Sequence, residues 1–145
     1  MRAIVDTNVF ISFLLNPGED RIPSRIVAAA LTQRFDLLIS DELLREIEST
    51  VDEKSYLKSR ISAPRLIAFF RELRGSAGIT PELSQPIAQY TRDPKDDYLI
   101  AHALAEEVDV LVSGDRDLLA LDGIFAFRIL SPADFAAALG ADATE

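Results

Sequence analysis

Short apolar runs alternate along the chain with stretches in which apolar residues recur every three or four positions. The runs at residues 3–5, 37–39, 108–112 and 127–130 are almost wholly apolar, which is typical of parallel strands buried on both faces. The stretches between them have the spacing of amphipathic helices. Strands separated by helices predict an α/β domain with three layers, helices covering both faces of a central parallel sheet.

Capping residues and prolines mark where the predicted helices begin. Ser40 is a suitable N-cap for one helix, and Asp93 precedes Pro94 at the start of another. The remaining helices are predicted over residues 8–15, from 23–24 onward, over 55–75 with an interruption near Pro64, over 117–121, and after Ser131–Pro132. Residues 78–84 fit either a short strand or a loop.

The pattern contains no repeat, low-complexity linker or domain boundary. We therefore predict a single domain over residues 1–139, followed by a tail at residues 140–145. The chain has 145 residues, which is enough to bury a sizeable core.

The composition excludes several classes of protein and site. Hydrophobic residues make up 48% and charged residues 27%, as in a soluble globular protein, and cysteine is absent, which rules out disulfides and thiolate zinc sites. His102 is the single histidine, so a site with several histidines is also excluded. No apolar run approaches the roughly 20 residues of a membrane span, and Asp6 interrupts any signal-peptide core. We expect a cytoplasmic protein without membrane contact.

The formal net charge is −9, from 15 basic and 24 acidic residues. Proteins that bind duplex DNA through its phosphates are normally basic, so an architectural DNA-binding protein is disfavoured. A nucleic-acid enzyme is still compatible with this charge, because cations bound by clustered carboxylates reverse the local field.

Four acidic residues are predicted to reach the same edge of the sheet. Asp6 and Asp115 follow two separate strands, while Asp97 and Glu46 lie in the first two turns of two helices. Sites in open parallel sheets form beyond the carboxyl ends of the strands, where these segments would converge. A cluster of carboxylates without a cation would be strongly repulsive, and oxygen ligands suit Mg²⁺ or Mn²⁺ rather than zinc.

Each of these acids has an ordinary structural interpretation as well. Helical spacing does not distinguish Glu46 from Glu42 or Glu48 as the residue that faces a site. Asp93 is explained as an N-cap and Asp96 as an acid favoured by the helix dipole, whereas Asp97 needs neither role. Asp115 and Asp117 could both be turn or capping residues.

Two other features favour a structural interpretation. His102 lies on a helix among apolar residues, so we expect it to be packed or solvent-facing rather than catalytic. Six basic residues fall between positions 54 and 74, which indicates a solvated helical face or, alternatively, a rim that contacts phosphate or a partner: Lys54, Lys58, Arg60, Arg65, Arg71 and Arg74.

Four segments together resemble a PIN-domain protein, in particular the bacterial branch described as toxin components of toxin-antitoxin systems. They are Val5-Asp6-Thr7-Asn8-Val9, Ser40-Asp41-Glu42-Leu43-Leu44-Arg45-Glu46-Ile47, Arg92-Asp93-Pro94-Lys95-Asp96-Asp97 before Leu99-Ile100-Ala101, and Leu111-Val112-Ser113-Gly114-Asp115-Arg116-Asp117. The resemblance extends from Met1 to about Leu139, with the segments in the family's order.

The resemblance implies a Rossmann-like sheet and a metal-dependent ribonuclease acting on single-stranded RNA with Mg²⁺ or Mn²⁺. Its acidic residues correspond to Asp6, Glu46, Asp97 and Asp115, and it selects Glu46 where spacing could not. Asn8 and Ser113 match supporting polar positions, and Asp93, Asp96 and Asp117 are additional acids of this branch. A cognate antitoxin and a homodimer are also implied.

Two alternatives belong to other classes, and a third keeps the fold but loses the activity. The chain could be a catalytically silent PIN-type module that binds RNA or protein, although all four acids are present. A receiver-like signalling domain would carry a lysine after a late strand, but the lysines are at positions 54, 58 and 95. A haloacid-dehalogenase-like phosphatase would have an aspartate at the position of Asn8.

Overall fold

Five parallel strands form the central sheet of the computed structural model, which describes residues 1–84 and 86–143. The strands are β1 (Arg2–Val5), β2 (Asp36–Ser40), β3 (Gly78–Thr80), β4 (Val110–Val112) and β5 (Arg128–Leu130). They lie in the order β3-β2-β1-β4-β5, and each neighbouring pair is parallel. From β1 the chain adds β2 and β3 on one side of the sheet and then β4 and β5 on the other, so a topological switch point lies between β1 and β4. In sheets of this kind, ligand sites form at the carboxyl edge beside the switch point.

Helices flank the sheet, which confirms the predicted three-layer α/β fold. They are α1 (Thr7–Leu15), α2 (Ile22–Leu31), α3 (Asp41–Glu53), α4 (Ser55–Arg60), α5 (Ala63–Ser76), α6 (Pro94–Ala105), α7 (Arg116–Leu119) and α8 (Pro132–Ala143). None of the helices in the described part of the chain combines the length and apolar character required to cross a bilayer.

The core is built on the two central strands. Residues 3–5 of β1 and 110–112 of β4 are buried on both faces, which explains why these runs are apolar rather than alternating. Helix α8 packs across the edge of the core through Phe135, whose ring meets Phe35 edge to face at 5.0 Å.

One of two predicted helix boundaries agrees with the structure and the other does not. The break in the 55–75 stretch lies at Ile61–Ser62, near Pro64 as predicted, and Pro64 sits in the first turn of α5, where its missing N–H costs nothing. The predicted tail at 140–145 is corrected, because α8 continues to Ala143. A glycine such as Gly140 costs only about 1 kcal/mol within a helix, so it need not end one. Residues 144–145 lie outside the described residues.

We predict that replacing Ile100 destabilises the protein, whereas replacing Ile67 does not. Ile100 in α6 is fully buried, while Ile67 in α5 is 57% exposed, and both are helical isoleucines. Ile100→Ala should lower the free energy of unfolding by about 2–5 kcal/mol, and Ile67→Ala should change it by less than about 1 kcal/mol. Urea unfolding of both variants measures the difference, and equal losses would contradict this packing of α6.

Candidate active site

Asp6 is fixed at the carboxyl end of β1 by contacts from the neighbouring strand. Its amide donates to the Val112 carbonyl at 2.8 Å, and its Oδ2 accepts from the Ser113 hydroxyl at 2.8 Å. The carboxylate is only 7% exposed. Burial raises the pKa of Asp6, and the hydrogen bonds from Ser113, Thr7 and the Asn8 amide offset only part of that rise.

Ser113 links Asp6 to Asp115 across the switch point. The buried Ser113 hydroxyl donates to Asp6 and accepts from the Asp115 amide at 3.0 Å. Asp115 in turn caps α7, because its Oδ1 accepts from the Asp117 amide at 2.8 Å. The Ser113 hydroxyl therefore connects the Asp6 carboxylate to the backbone of Asp115.

Asp96, and not Asp97, is the residue of α6 that lies against these carboxylates. It is 6% exposed and falls on the helix face that buries Leu99, Ile100 and Ala103. Burial, the charges of Asp115, Asp93 and Asp6, and the proximity of the Asp115 carboxyl group raise the pKa of Asp96 to about 7.

Asp97 lies one position further around the helix and serves the preceding loop instead. Its Oδ1 accepts from the amides of Tyr90 (2.9 Å) and Thr91 (2.8 Å) and from the Thr91 hydroxyl (3.1 Å). Burial alone would raise the pKa of Asp97, but these three donors lower it below its ordinary value. The sequence-based choice of Asp97 for the cluster is therefore corrected to Asp96, because neighbouring helical residues point about 100° apart.

Glu46 and Asp93 complete the group of acids. Asp93 caps α6 as predicted, accepting from the Lys95 amide at 2.9 Å. Glu46 is half-buried; burial raises its pKa, the Lys95 ammonium at 4.0 Å lowers it, and the charges of Asp6 and Asp93 raise it again. Glu48, by contrast, is exposed. The structure thus brings Glu46 within the field of Asp6, a distinction that helical spacing could not make.

Asp6, Glu46, Asp93, Asp96 and Asp115 are referred to below as the acid cluster. The two other predicted supporting residues, Asn8 and Asp117, are exposed at its margin. The Asp117 amide donates to the Asp115 carboxylate.

Comparison with known proteins identifies the family of this site and fold. A family model described as "PIN domain" matches residues 2–117, which covers four of the five strands and the whole acid cluster. The chain belongs to the PIN-domain family. PIN domains are generally nucleases, so at this level the protein is assigned to the hydrolases.

Two individual proteins are similar to this PIN domain. "Uncharacterized protein MJ1680" of Methanocaldococcus jannaschii is 27% identical over 124 residues, covering 83% of this chain and 75% of that protein. The crystal structure of PAE2754 from Pyrobaculum aerophilum aligns over 97% of this chain and 90% of its own, with a TM-score of 0.64 and 16% identity. At this identity the second likeness concerns the fold alone.

The donor chemistry of the acid cluster suits a hard divalent cation. Within the described residues, no three acids already stand close enough to surround an ion. Nevertheless, all the donors are carboxylate oxygens, and the charges of Asp115, Asp93 and Asp6 all act on the nearly buried Asp96. A divalent ion would neutralise this crowded negative charge, so the residues present fit Mg²⁺ or Mn²⁺.

His102 is a structural residue of this PIN domain, as its apolar surroundings predict. It is completely buried, and its Nε2 lies 2.7 Å from the Thr80 hydroxyl. Burial lowers its pKa to about 4, so the imidazole is neutral at physiological pH. The nearby Tyr98 hydroxyl meets Ser40 at 2.6 Å, a contact between α6 and the N-cap of α3 that the sequence did not indicate.

The basic residues between positions 54 and 74 make contacts with different parts of the fold. Lys58 pairs with Asp52 at 3.1 Å, and Arg74 with Asp41 at 2.8 Å. The half-buried Arg65 donates to the carbonyl of Leu14 in α1. These contacts favour the interpretation of a solvated helical face over that of a single phosphate-binding rim.

We predict that Asp96 makes the stability of the metal-free protein fall as the pH rises. The folded state holds the Asp96 proton up to about pH 7, whereas the unfolded chain releases it near the ordinary value of 3.8. The free energy of unfolding should therefore decrease between about pH 4 and pH 7. Asp96→Asn removes this titration and should be more stable than the parent above pH 7, by a difference on the order of 3 kcal/mol.

Urea unfolding in the presence of a chelator, measured from pH 4 to pH 8, tests this expectation. Asp36→Asn is the matched control, because Asp36 is exposed at the opposite end of β2. If Asp96→Asn shows the same pH profile as the parent and as Asp36→Asn, Asp96 does not hold a proton in the acid cluster.

Proposed function

We propose that this PIN domain is an endoribonuclease that depends on a divalent metal and hydrolyses phosphodiester bonds in single-stranded RNA. The observation that carries the proposal lies at the carboxyl edge of β1 and β4: Ser113 binds the Asp6 carboxylate and the Asp115 amide, and the charges of Asp6 and Asp115 both act on the nearly buried Asp96. Asp6, Asp96, Asp115 and Glu46 would hold Mg²⁺ or Mn²⁺, directly or through water. When bound, such an ion supplies an activated water and stabilises charge on the leaving oxygen.

The residues around the acid cluster have distinct tasks in this reaction. Ser113 donates to Oδ2 of Asp6, and this hydrogen bond fixes the orientation of the Asp6 carboxylate. The Asp117 amide orients Asp115 in the same way. Asp96 would give up its proton to solvent when a cation binds, and Glu46, whose carboxylate lies 4.0 Å from the Lys95 ammonium, would orient the attacking water.

The form of the substrate follows from charge and shape. With a net charge of −9, the protein offers little attraction to a duplex, whose binding depends on many phosphate contacts. A single strand can enter a narrow acidic site with its bases unstacked, as in most sequence-specific recognition of RNA. The buried, neutral His102 is not required as a base.

The decisive test compares two neighbouring residues of α6. Asp96→Asn should reduce Mg²⁺-dependent cleavage of a fluorescent single-stranded RNA by about 100-fold or more, because it removes a charge that holds the ion. Asp97→Asn should retain activity to within about tenfold, since the amide oxygen can still accept from Tyr90 and Thr91. A chelator should abolish cleavage by both the parent and Asp97→Asn.

Two results would contradict the proposal in different ways. Parental activity in Asp96→Asn, with an Asp6→Asn preparation as the blank for contaminating nuclease, would remove Asp96 from the site. A parent protein that binds RNA and leaves it uncut with Mg²⁺ or Mn²⁺ would favour the catalytically silent PIN module.

We further propose that the protein is the toxin of a toxin-antitoxin pair, acts in the cytoplasm, and forms a homodimer. This proposal rests on the resemblance of the four sequence segments to that branch of the family. A neighbouring gene for a small DNA-binding protein would supply the antitoxin.

Expression in a bacterial host tests the toxin role. The parent should arrest growth, Asp96→Asn should not, and co-expression of the neighbouring protein should restore growth. Asp36→Asn, which lies away from the acid cluster, should arrest growth like the parent. Normal growth with an active, expressed parent nuclease would instead indicate routine RNA processing.

A further inference from the structure

An exposed tyrosine ring stands at the margin of the acid cluster in a fixed orientation. Tyr90 is 42% exposed, and its ring packs edge to face against Phe125, with centroids 5.2 Å apart at 87°. Phe125 is stacked on the buried Phe127 at 5.1 Å and 3°. The Tyr90 ring is therefore supported by the core on one side and open to solvent on another.

The backbone that carries this ring is also fixed. Asp97 accepts from the amides of Tyr90 and Thr91, and the Thr91 hydroxyl donates to the Asp93 carbonyl at 2.9 Å. These bonds tie residues 90–93 to the first turn of α6, which carries Asp96. The position of the Tyr90 ring relative to the acid cluster is consequently set before any substrate binds.

A cleft of about 260 Å³ opens between this loop and the start of α7, and it is lined by Tyr90, Thr91, Arg92 and Asp117. Its walls provide an aromatic ring, a guanidinium donor and a carboxylate acceptor. Asp117 connects the cleft to the acid cluster, because its amide is bound to Asp115. The cleft is therefore adjacent to the acid cluster.

We propose that this cleft is a nucleobase subsite, in which one unpaired base of the RNA strand stacks on Tyr90 while Arg92 and Asp117 contact its edge. The proposal rests on the function proposed above, since it supplies a base-binding position beside the acid cluster. Stacking on an aromatic side chain suits single strands, whose bases expose their faces. Alternatively, Tyr90 serves only as the outer member of the aromatic stack, in which case its replacement changes stability and not base-dependent binding.

The test uses strands that differ only in one base. A short ribose-phosphate strand without bases is compared with the same strand carrying a single guanine, whose edge offers acceptors to Arg92 and an amino donor to Asp117. Both are titrated in Mg²⁺ against protein with the Asp6→Asn change, so that neither strand is cut. The single guanine should tighten binding by roughly 5- to 150-fold, the range expected for one stacked base.

Three further variants in this background distinguish stacking from general effects. Tyr90→Leu should abolish the gain from the guanine while leaving the affinity for the base-free strand unchanged, which also shows that the variant is folded. Tyr90→Phe should keep the gain, because the ring remains. Tyr56→Leu is the matched control, since Tyr56 is 55% exposed on α4, and it should keep the gain as well.

The outcomes separate this inference from the nuclease proposal. An equal affinity for both strands, or a gain that survives in Tyr90→Leu, overturns the subsite even if the parent cleaves RNA. A gain that depends on Tyr90 establishes the subsite even if the parent shows no cleavage, in which case only the proposed catalysis fails. Failure to bind either strand overturns the subsite.

Discussion

Repulsion among the carboxylates at the carboxyl edge of β1 and β4 is the constraint on which the rest of this structure depends. Asp6 and Asp96 are both nearly buried, and the charge of Asp115 acts on Asp96. Burying unpaired charges in this way disfavours folding. The two central strands, buried on both faces, and the helices packed against them must provide the stability that holds these acids together.

The same constraint explains why the polar contacts around the acid cluster are so specific. The Ser113 hydroxyl donates to the Asp6 carboxylate and the Asp117 amide donates to that of Asp115, and both donors are uncharged. They orient the acids without neutralising them, so the negative field remains available to a cation. A lysine or arginine in place of Ser113 would relieve the repulsion, but it would also remove the reason for an ion to bind.

The strands and helices could be predicted from the sequence, whereas the acid of α6 that joins the cluster could not. Apolar runs identify buried strands regardless of context, and capping by Ser40 and Asp93 is a local interaction, so both could be recognised. The strand order depends on contacts between distant segments, and the role of Asp97 depends on the conformation of the loop just before α6. In particular, Asp97 binds main-chain amides of an irregular loop, and main-chain donors leave no trace in the sequence.

Adjacent residues of one helical turn consequently divide two tasks. Asp96 points toward the sheet and joins the acid cluster, while Asp97, about 100° away around α6, fixes the loop that carries Tyr90. Any movement of this turn therefore shifts Asp96 and the loop that carries the aromatic ring together. If an RNA strand were held by one base at Tyr90, the rigid first turn of α6 would set the position of its phosphate backbone relative to the acid cluster. No separate element would be needed to align the backbone with the acids. Such coupling reduces the freedom that a bound strand would otherwise have to lose near the reacting phosphate.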